Sequence, residues 1–103
     1  MNGVSTTLPI PTDRIAEFCE RNHIAKLSLF GSAIRDDFRP ESDVDVLVEF
    51  EPGQVPGLGF FGMQEELSEI FGRRVDLNTP AWLSQYFRVQ VQSEALPLYV
   101  QAR

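Results

Sequence analysis

The sequence has a single cysteine, no long hydrophobic run and fewer basic than acidic residues. With Cys19 as the only cysteine among 103 residues, no internal disulfide can form, and we expect a cytoplasmic protein. No apolar run approaches the roughly 20 residues that a membrane span needs, and the N-terminus lacks the basic start and apolar core of a secretory signal. Nine Lys and Arg against 15 Asp and Glu give a net charge of −6, which argues against direct nucleic-acid binding.

The hydropathy pattern predicts one small α/β (α+β) domain. Residues 1–9 are predicted to be a flexible tail, and residues 10–103 form the domain. Helices should pack mainly on one side of a mixed sheet of three or four strands. The predicted elements are helix 10–22, strand 26–30, short helix 32–37, strand 44–50, helix 60–71, strand 74–78, a helix that opens at Pro80, and a short closing strand 98–100 after Pro97.

The most informative stretch runs from residue 30 to residue 50 and reads FGSAIRDDFRPESDVDVLVEF. It combines Gly31 and Ser32 with Asp43 and Asp45 after a gap of ten residues. With average residue usage, these four letters match by chance at roughly one start position in 10^5. Because strand side chains alternate between faces, Asp43 and Asp45 project the same way. This layout suits the binding of a metal-bound nucleoside triphosphate.

Asp76 adds a third carboxylate on the next predicted strand. It lies on the face opposite Val75 and Leu77, and neighbouring strands are about 5 Å apart, so Asp76 can join Asp43 and Asp45. Three such carboxylates repel one another unless a cation joins them. Mg²⁺, as one or two ions, is the natural candidate because it prefers hard oxygen ligands and substrate phosphates.

The Gly31-Ser32 turn is the predicted phosphate site. Glycine permits close backbone approach, and a helix that begins at Ser32 directs free N–H groups towards an anion. Arg35, one turn further on, has a side chain long enough to reach a phosphate oxygen.

Simpler interpretations exist for each residue. Asp43 and Asp45 alone would often be solvated charges at a strand edge, Ser32 a helix cap and Arg35 a surface arginine. We interpret His23 as structural at a helix end, and Cys19, Trp82, Tyr86 and Phe87 as core residues. Phe60 and Phe61 are adjacent, so one helix face cannot bury both, and one of them is expected at an interface.

The motif resembles that of the minimal nucleotidyltransferases of the DNA polymerase beta superfamily, whose signature is Gly-Ser, ten residues, then Asp-x-Asp. Gly31-Ser32 and Asp43-Val44-Asp45 reproduce it without a gap, and the resemblance extends from about Ile10 to Tyr99. It implies the nucleotidyltransferase fold for residues 10–103. It also implies that Ser32 grips the triphosphate, that Asp43 and Asp45 ligate Mg²⁺, and that Asp76 completes the metal site and helps to deprotonate the acceptor.

Short members of that family resemble the antitoxin half of a toxin–antitoxin pair, and this implies a hetero-oligomer with a HEPN-type ribonuclease toxin. The implied reaction transfers AMP from ATP to a tyrosine of the toxin. Family members often carry glycine after the arginine, where this chain has Asp36 and Asp37, and these charges would weaken nucleotide binding unless they face solvent. Two other functions remain open: an antitoxin that acts by contact alone, and transfer to a small-molecule hydroxyl, which so short a domain offers little surface to bind.

Overall fold

Four strands form one mixed sheet in the order β3-β2-β1-β4, in agreement with the predicted fold class. The computed structural model describes residues 10–34, 43–54 and 56–101, with only the backbone of Ser32, Ala33 and Trp82. In chain order the elements are α1 (Thr12–Arg21), β1 (Ile24–Phe30), a 3-10 helix (Gly31–Ile34), β2 (Val44–Phe50), α2 (Gly59–Phe71), β3 (Val75–Asn78), a second 3-10 helix (Pro80–Trp82), α3 (Gln85–Glu94) and β4 (Leu96–Val100). The predicted tail, Arg35, Asp36 and Asp37 lie outside the described residues.

Strand pairing places the start of β2 at the centre of the sheet. β1 runs antiparallel to β2 with Phe30 opposite Asp45, and β4 runs antiparallel to the other edge of β1. β2 and β3 are parallel, because α2 carries the chain back across the sheet between them. Both strands therefore begin at the same end of the sheet, the end where β1 finishes.

The main core lies between one face of the sheet and helices α1 and α2. Ile15, Phe18 and Cys19 form the buried stripe of α1, as their spacing predicts. They pack in one cluster with Val44, Val46 and Val48 of β2 and Leu67 of α2. Burial raises the pKa of the Cys19 thiol to about 12, so this group stays protonated and serves as packing, as predicted.

Helix α3 covers part of the opposite face. Its buried residue, Val91, packs against Phe30 and Leu47. The predicted arrangement with helices mainly on one side thus holds for α1 and α2, and α3 lies on the face that carries Asp45. No helix in the described ranges is long and apolar enough to cross a bilayer.

Two details of the C-terminal region differ from the prediction. The helix predicted from Pro80 onwards is interrupted at Leu83, whose backbone is extended. Ser84 then caps the N-terminus of α3, because its Oγ accepts a hydrogen bond from Phe87 N at 3.2 Å. Pro97 does not break the chain out of regular structure; it lies within β4, an edge strand, beside a register shift at Leu27 and Ser28. Proline is tolerated at such a position because its missing N–H is not needed there.

The core prediction for the C-terminal aromatic residues was wrong for Tyr86 and Phe87, which are 92% and 48% exposed. The side chain of Trp82 lies outside the described part of the structure. Tyr86 is five residues from Val91 on α3, so the helical period turns it away from the sheet. The adjacent phenylalanines divide as expected, with Phe60 buried and Phe61 exposed at 66%.

Candidate active site

The structure brings Asp45 and Asp76 together as cross-strand partners. Asp45 is the second residue of β2 and Asp76 the second residue of β3, and the parallel register pairs the two. Paired residues on adjacent strands project to the same face, about 5 Å apart. Asp45, on the inner strand β2, is half-buried, and Asp76, on the edge strand β3, is exposed. The pair therefore lies at the border between the sheet and solvent.

Gly31 provides the space that the Asp45 carboxylate occupies. β1 ends at Phe30, opposite Asp45, and Gly31 follows with a φ of +67°. A Cβ atom at position 31 would collide with Oδ2 of Asp45 and would lie 3.2 Å from its Cγ. Glycine is therefore required here twice over, for its left-handed backbone and for the contact with the carboxylate. Sequence reasoning assigned Gly31 to close approach by a nucleotide and did not foresee its contact with Asp45.

Asp43 lies just before β2 and is paired with Arg74, which lies just before β3. The distance from Arg74 Nε to Asp43 Oδ1 is 3.8 Å, and both side chains are exposed. The backbone supports the pair, since Val44 N donates to Arg74 O at 2.9 Å. Sequence reasoning missed Arg74, although a signal was present: Arg74-x-Asp76 repeats the spacing of Asp43-x-Asp45, so parallel strands in register pair both positions.

Two side chains of helix α2 accept hydrogen bonds from the outer edge of β3. Val75 N donates to Ser68 Oγ at 3.1 Å, and Leu77 N donates to Gln64 Oε1 at 2.9 Å. These contacts were not predicted. The available signal was two polar residues one helical turn apart on a helix whose stripe is otherwise apolar.

The three aspartates differ in how far the structure brings them together. Within the part of the chain that the structure describes, no three His, Cys, Asp or Glu side chains form a group that would hold a metal ion by themselves. The donors nevertheless fit Mg²⁺ in kind, because it commonly binds one or two carboxylates and takes its remaining ligands from phosphates and water. The metal-ligand roles of Asp43, Asp45 and Asp76 remain predictions.

The structure describes the predicted phosphate-binding turn only in part. Ser32 lies in the 3-10 helix that begins at Gly31, directly after β1, and this helix ends at Ile34. The backbone thus turns next to Asp45, as predicted. The roles of the Ser32 hydroxyl and of Arg35 remain predictions, since Arg35 lies outside the described residues.

Among the cavities that the described residues line, two lie against opposite ends of the sheet and differ in lining. A small cleft of about 30 Å³ adjoins the site, between Gly31 and helix α3. A larger groove of about 460 Å³ lies where β2 and β3 end, away from Asp45 and Asp76. The groove is lined by Val48, Glu49, Phe50, Pro56, Gly57, Phe60, Phe61, Thr79, Pro80 and Ala81.

Comparison with known proteins agrees with this geometry. Residues 13–98 match the family model of the nucleotidyltransferase domain. The chain belongs to the nucleotidyltransferase domain family. The match includes Gly31, Asp43, Asp45 and Asp76, so the resemblance drawn from the motif is confirmed at the level of the family.

Individual relatives extend the comparison. Over 62 residues the chain is 40% identical to the protein adenylyltransferase MntA of Thermococcus cleftensis, a match that covers 59% of this chain and 61% of the relative. It therefore spans less than two thirds of that relative's length. A solved structure of a candidate minimal nucleotidyltransferase is 32% identical, with a TM-score of 0.71 over 84% of this chain and 87% of the other.

The fold also occurs in a crystal structure of a toxin–antitoxin with AMP-PNP. That chain has a TM-score of 0.72 and 19% identity to this one, and the alignment covers 89% of this chain and 75% of the other. At this identity the likeness concerns the fold.

Proposed function

We propose that the chain is an Mg²⁺-dependent protein adenylyltransferase. It transfers AMP from ATP to a hydroxyl, that of a tyrosine, on a HEPN-type ribonuclease toxin, and so acts as the antitoxin of a cytoplasmic hetero-oligomer. The observation that carries the proposal is the pairing of Asp45 with Asp76 in register, with the Gly31 turn against the Asp45 carboxylate. Family membership and the adenylyltransferase relative support the reaction type.

The proposed site residues bind the nucleotide and the metal, and one of them also contacts the acceptor. The turn at Gly31 and Ser32 holds the phosphates of ATP, and Asp43, Asp45 and Asp76 supply carboxylate oxygens for Mg²⁺. When bound, Mg²⁺ neutralises charge on the phosphates. Asp76 is exposed on an edge strand, so an incoming acceptor can reach it.

The proposed step is a displacement at the α-phosphorus of ATP. The acceptor oxygen forms a bond to that phosphorus, the bond to the pyrophosphate oxygen breaks, and pyrophosphate leaves. The hydroxyl proton passes to the Asp76 carboxylate. Positioning and charge stabilisation provide most of the acceleration in such a site. A protein acceptor suits the exposed position of Asp76, and the toxin–antitoxin with AMP-PNP is consistent with such a partner.

The direct test measures label transfer from ATP. Wild type is incubated with α-labelled ATP, Mg²⁺ and the HEPN-type protein encoded beside its gene. We expect a double Asp43→Ala, Asp45→Ala variant to label that protein at least about 10³-fold more slowly, because electrostatic stabilisation of the transition state is lost. Asp13→Ala with Glu17→Ala, on the exposed face of α1, makes the same change in net charge and should keep wild-type activity.

The same variants separate catalysis from inhibition by contact. Wild-type transfer no faster than that of the Asp43, Asp45 variant would refute the proposal. If that variant still neutralised the toxin in cells, an antitoxin that acts by contact would be the better explanation.

A further inference from the structure

We infer that Gln64 and Ser68 are positioning residues for Asp76, an inference that rests on the proposed transfer at the Asp45–Asp76 pair. The two side chains, called here the α2 clamp, hold the outer edge of β3. Ser68 Oγ accepts from Val75 N at 3.1 Å, and Gln64 Oε1 accepts from Leu77 N at 2.9 Å. Asp76 is the residue between the two anchored amides.

β3 needs these contacts because it is short and lies at the edge of the sheet. It has four residues and pairs with β2 along one side. In an edge strand, the backbone N–H groups of alternate residues point away from the sheet. In β3 these are the N–H groups of Val75 and Leu77, two residues that are each 2% exposed. Buried N–H groups without partners are costly, so losing the clamp would favour a β3 that shifts or opens.

The clamp is itself held rigidly. The Ser68 hydroxyl donates its hydrogen to Gln64 O at 2.9 Å, so the lone pairs of Oγ are left to face Val75 N. Leu67, next to Ser68, is fully buried in the main core. The link from helix to strand is also short. Gly72, with φ +72°, caps the C-terminus of α2, and Arg73 N donates a hydrogen bond back to Ser68 O at 3.1 Å.

The clamp predicts a division between binding and chemistry. The nucleotide is assigned to Gly31 and Ser32, which the clamp does not touch, and Asp43 and Asp45 also supply oxygens for Mg²⁺. Asp76 is assigned to the metal as well, and in addition to activation of the acceptor. A shift of β3 should therefore lower kcat for transfer by much more than it weakens nucleotide affinity. A purely structural role would lower only the folded fraction.

The test variant is Gln64→Met with Ser68→Ala, which removes both acceptor oxygens and keeps side-chain size. Gln92→Met with Ser93→Ala makes the same chemical change on the exposed side of α3 and is the matched control. Gln64→Glu with Ser68→Thr restores an acceptor at both positions and tests rescue. Circular dichroism sets a temperature at which every variant is folded, and the single Gln64→Met variant replaces the double one if the latter does not fold.

Three measurements are made on each variant. Hydrogen exchange at the amides of Val75 and Leu77 should accelerate at least about tenfold in the clamp variant, because local opening of β3 becomes easier. The kcat for AMP transfer to the HEPN-type protein should fall by about 100-fold, the scale expected for a misplaced catalytic group. The Kd for AMP-PNP with Mg²⁺, measured by calorimetry, should weaken far less than kcat falls, by at most about fivefold, because Asp43 and Asp45 stay in place.

The outcomes separate this inference from the proposed function. If wild type transfers AMP but the clamp variant keeps its kcat, or if Kd worsens in step with kcat, the positioning role is overturned. Unchanged exchange at Val75 and Leu77 overturns the clamp even without a transfer assay. A wild type that transfers no AMP overturns the proposed function, and the exchange result then still decides whether the clamp exists.

Discussion

Strand β2 begins beside carboxylates and ends beside an apolar groove. At its start, Asp45 pairs with Asp76 and adjoins Gly31. At its end, Phe50 packs edge-on against Phe60 with ring centroids 6.5 Å apart, next to the groove of about 460 Å³. The same seven-residue strand therefore joins two regions of opposite chemical character.

The contrast teaches that cavity size and chemistry are separate signals in this fold. A metal-bound triphosphate needs several oxygen donors and a backbone that approaches closely. The start of β2 supplies both, although the cleft beside it is small. The groove is large, but among the described residues that line it Glu49 alone is acidic. We therefore assign catalysis to the carboxylate end and expect the groove end to influence stability instead.

Of the single replacements that test this contrast, Gly31→Ala should have the largest effect, and it acts at the carboxylate end. The added Cβ collides with the Asp45 carboxylate, so we expect transfer to fall by about 100-fold in steady-state assays of AMP transfer. Gly53→Ala is a matched control, because Gly53 also has a positive φ, +79°, yet has open space around its Cβ position. Equal activity of the two alanine variants would contradict the claim that Gly31 leaves space for the Asp45 carboxylate.

Replacing Phe60 with alanine should affect the groove end mainly through stability. Phe60 is 6% exposed, so its truncation should lower the free energy of unfolding by about 3–5 kcal/mol in urea denaturation. Transfer per folded molecule should stay near wild type. Phe61→Ala, the same change on an exposed neighbour, should alter stability by less than about 0.5 kcal/mol. A large loss of transfer in folded Phe60→Ala would mean that the groove takes part in the reaction.

Replacing Arg74 with glutamine should have the smallest effect. It tests whether the carboxylate end includes Arg74 as a functional residue. Its contact with Asp43 is long and exposed, so the pair should contribute at most about 1 kcal/mol to stability, less at high salt. We expect transfer to change only a few-fold, measured at low and at high ionic strength. A loss comparable with that of the double aspartate variant would instead make Arg74 a phosphate-binding residue.

The elements that the sequence predicted well are those with a clear period or a specific turn residue. β2 occupies the predicted residues 44–50, since Val44, Val46, Val48 and Phe50 recur at every second position. Gly72 caps the C-terminus of α2 in the left-handed conformation, as a glycine after an apolar stripe predicts. The pairing of Asp45 with Asp76 followed from placing two strands side by side, and the parallel register confirms that the strands bring these residues together.

The features that sequence reasoning missed depend on tertiary contacts. Tyr86 was predicted to be a core residue, but in α3 the buried residue is Val91, and Tyr86 lies on another side of the helix. The hydrogen bonds of Gln64 and Ser68 join residues 13 and 7 positions apart across a helix–strand junction. No local pattern specifies such a contact before the strand order is known.

Diffraction at a wavelength sensitive to Mn²⁺, on crystals grown with AMP-PNP and Mn²⁺ in place of Mg²⁺, tests the central claim most directly. The account predicts an anomalous peak beside the carboxylates of Asp45 and Asp76, with the phosphates of AMP-PNP at the Gly31-Ser32 turn. A nucleotide and metal bound in the groove near Phe60, with no density beside Asp45, would contradict it.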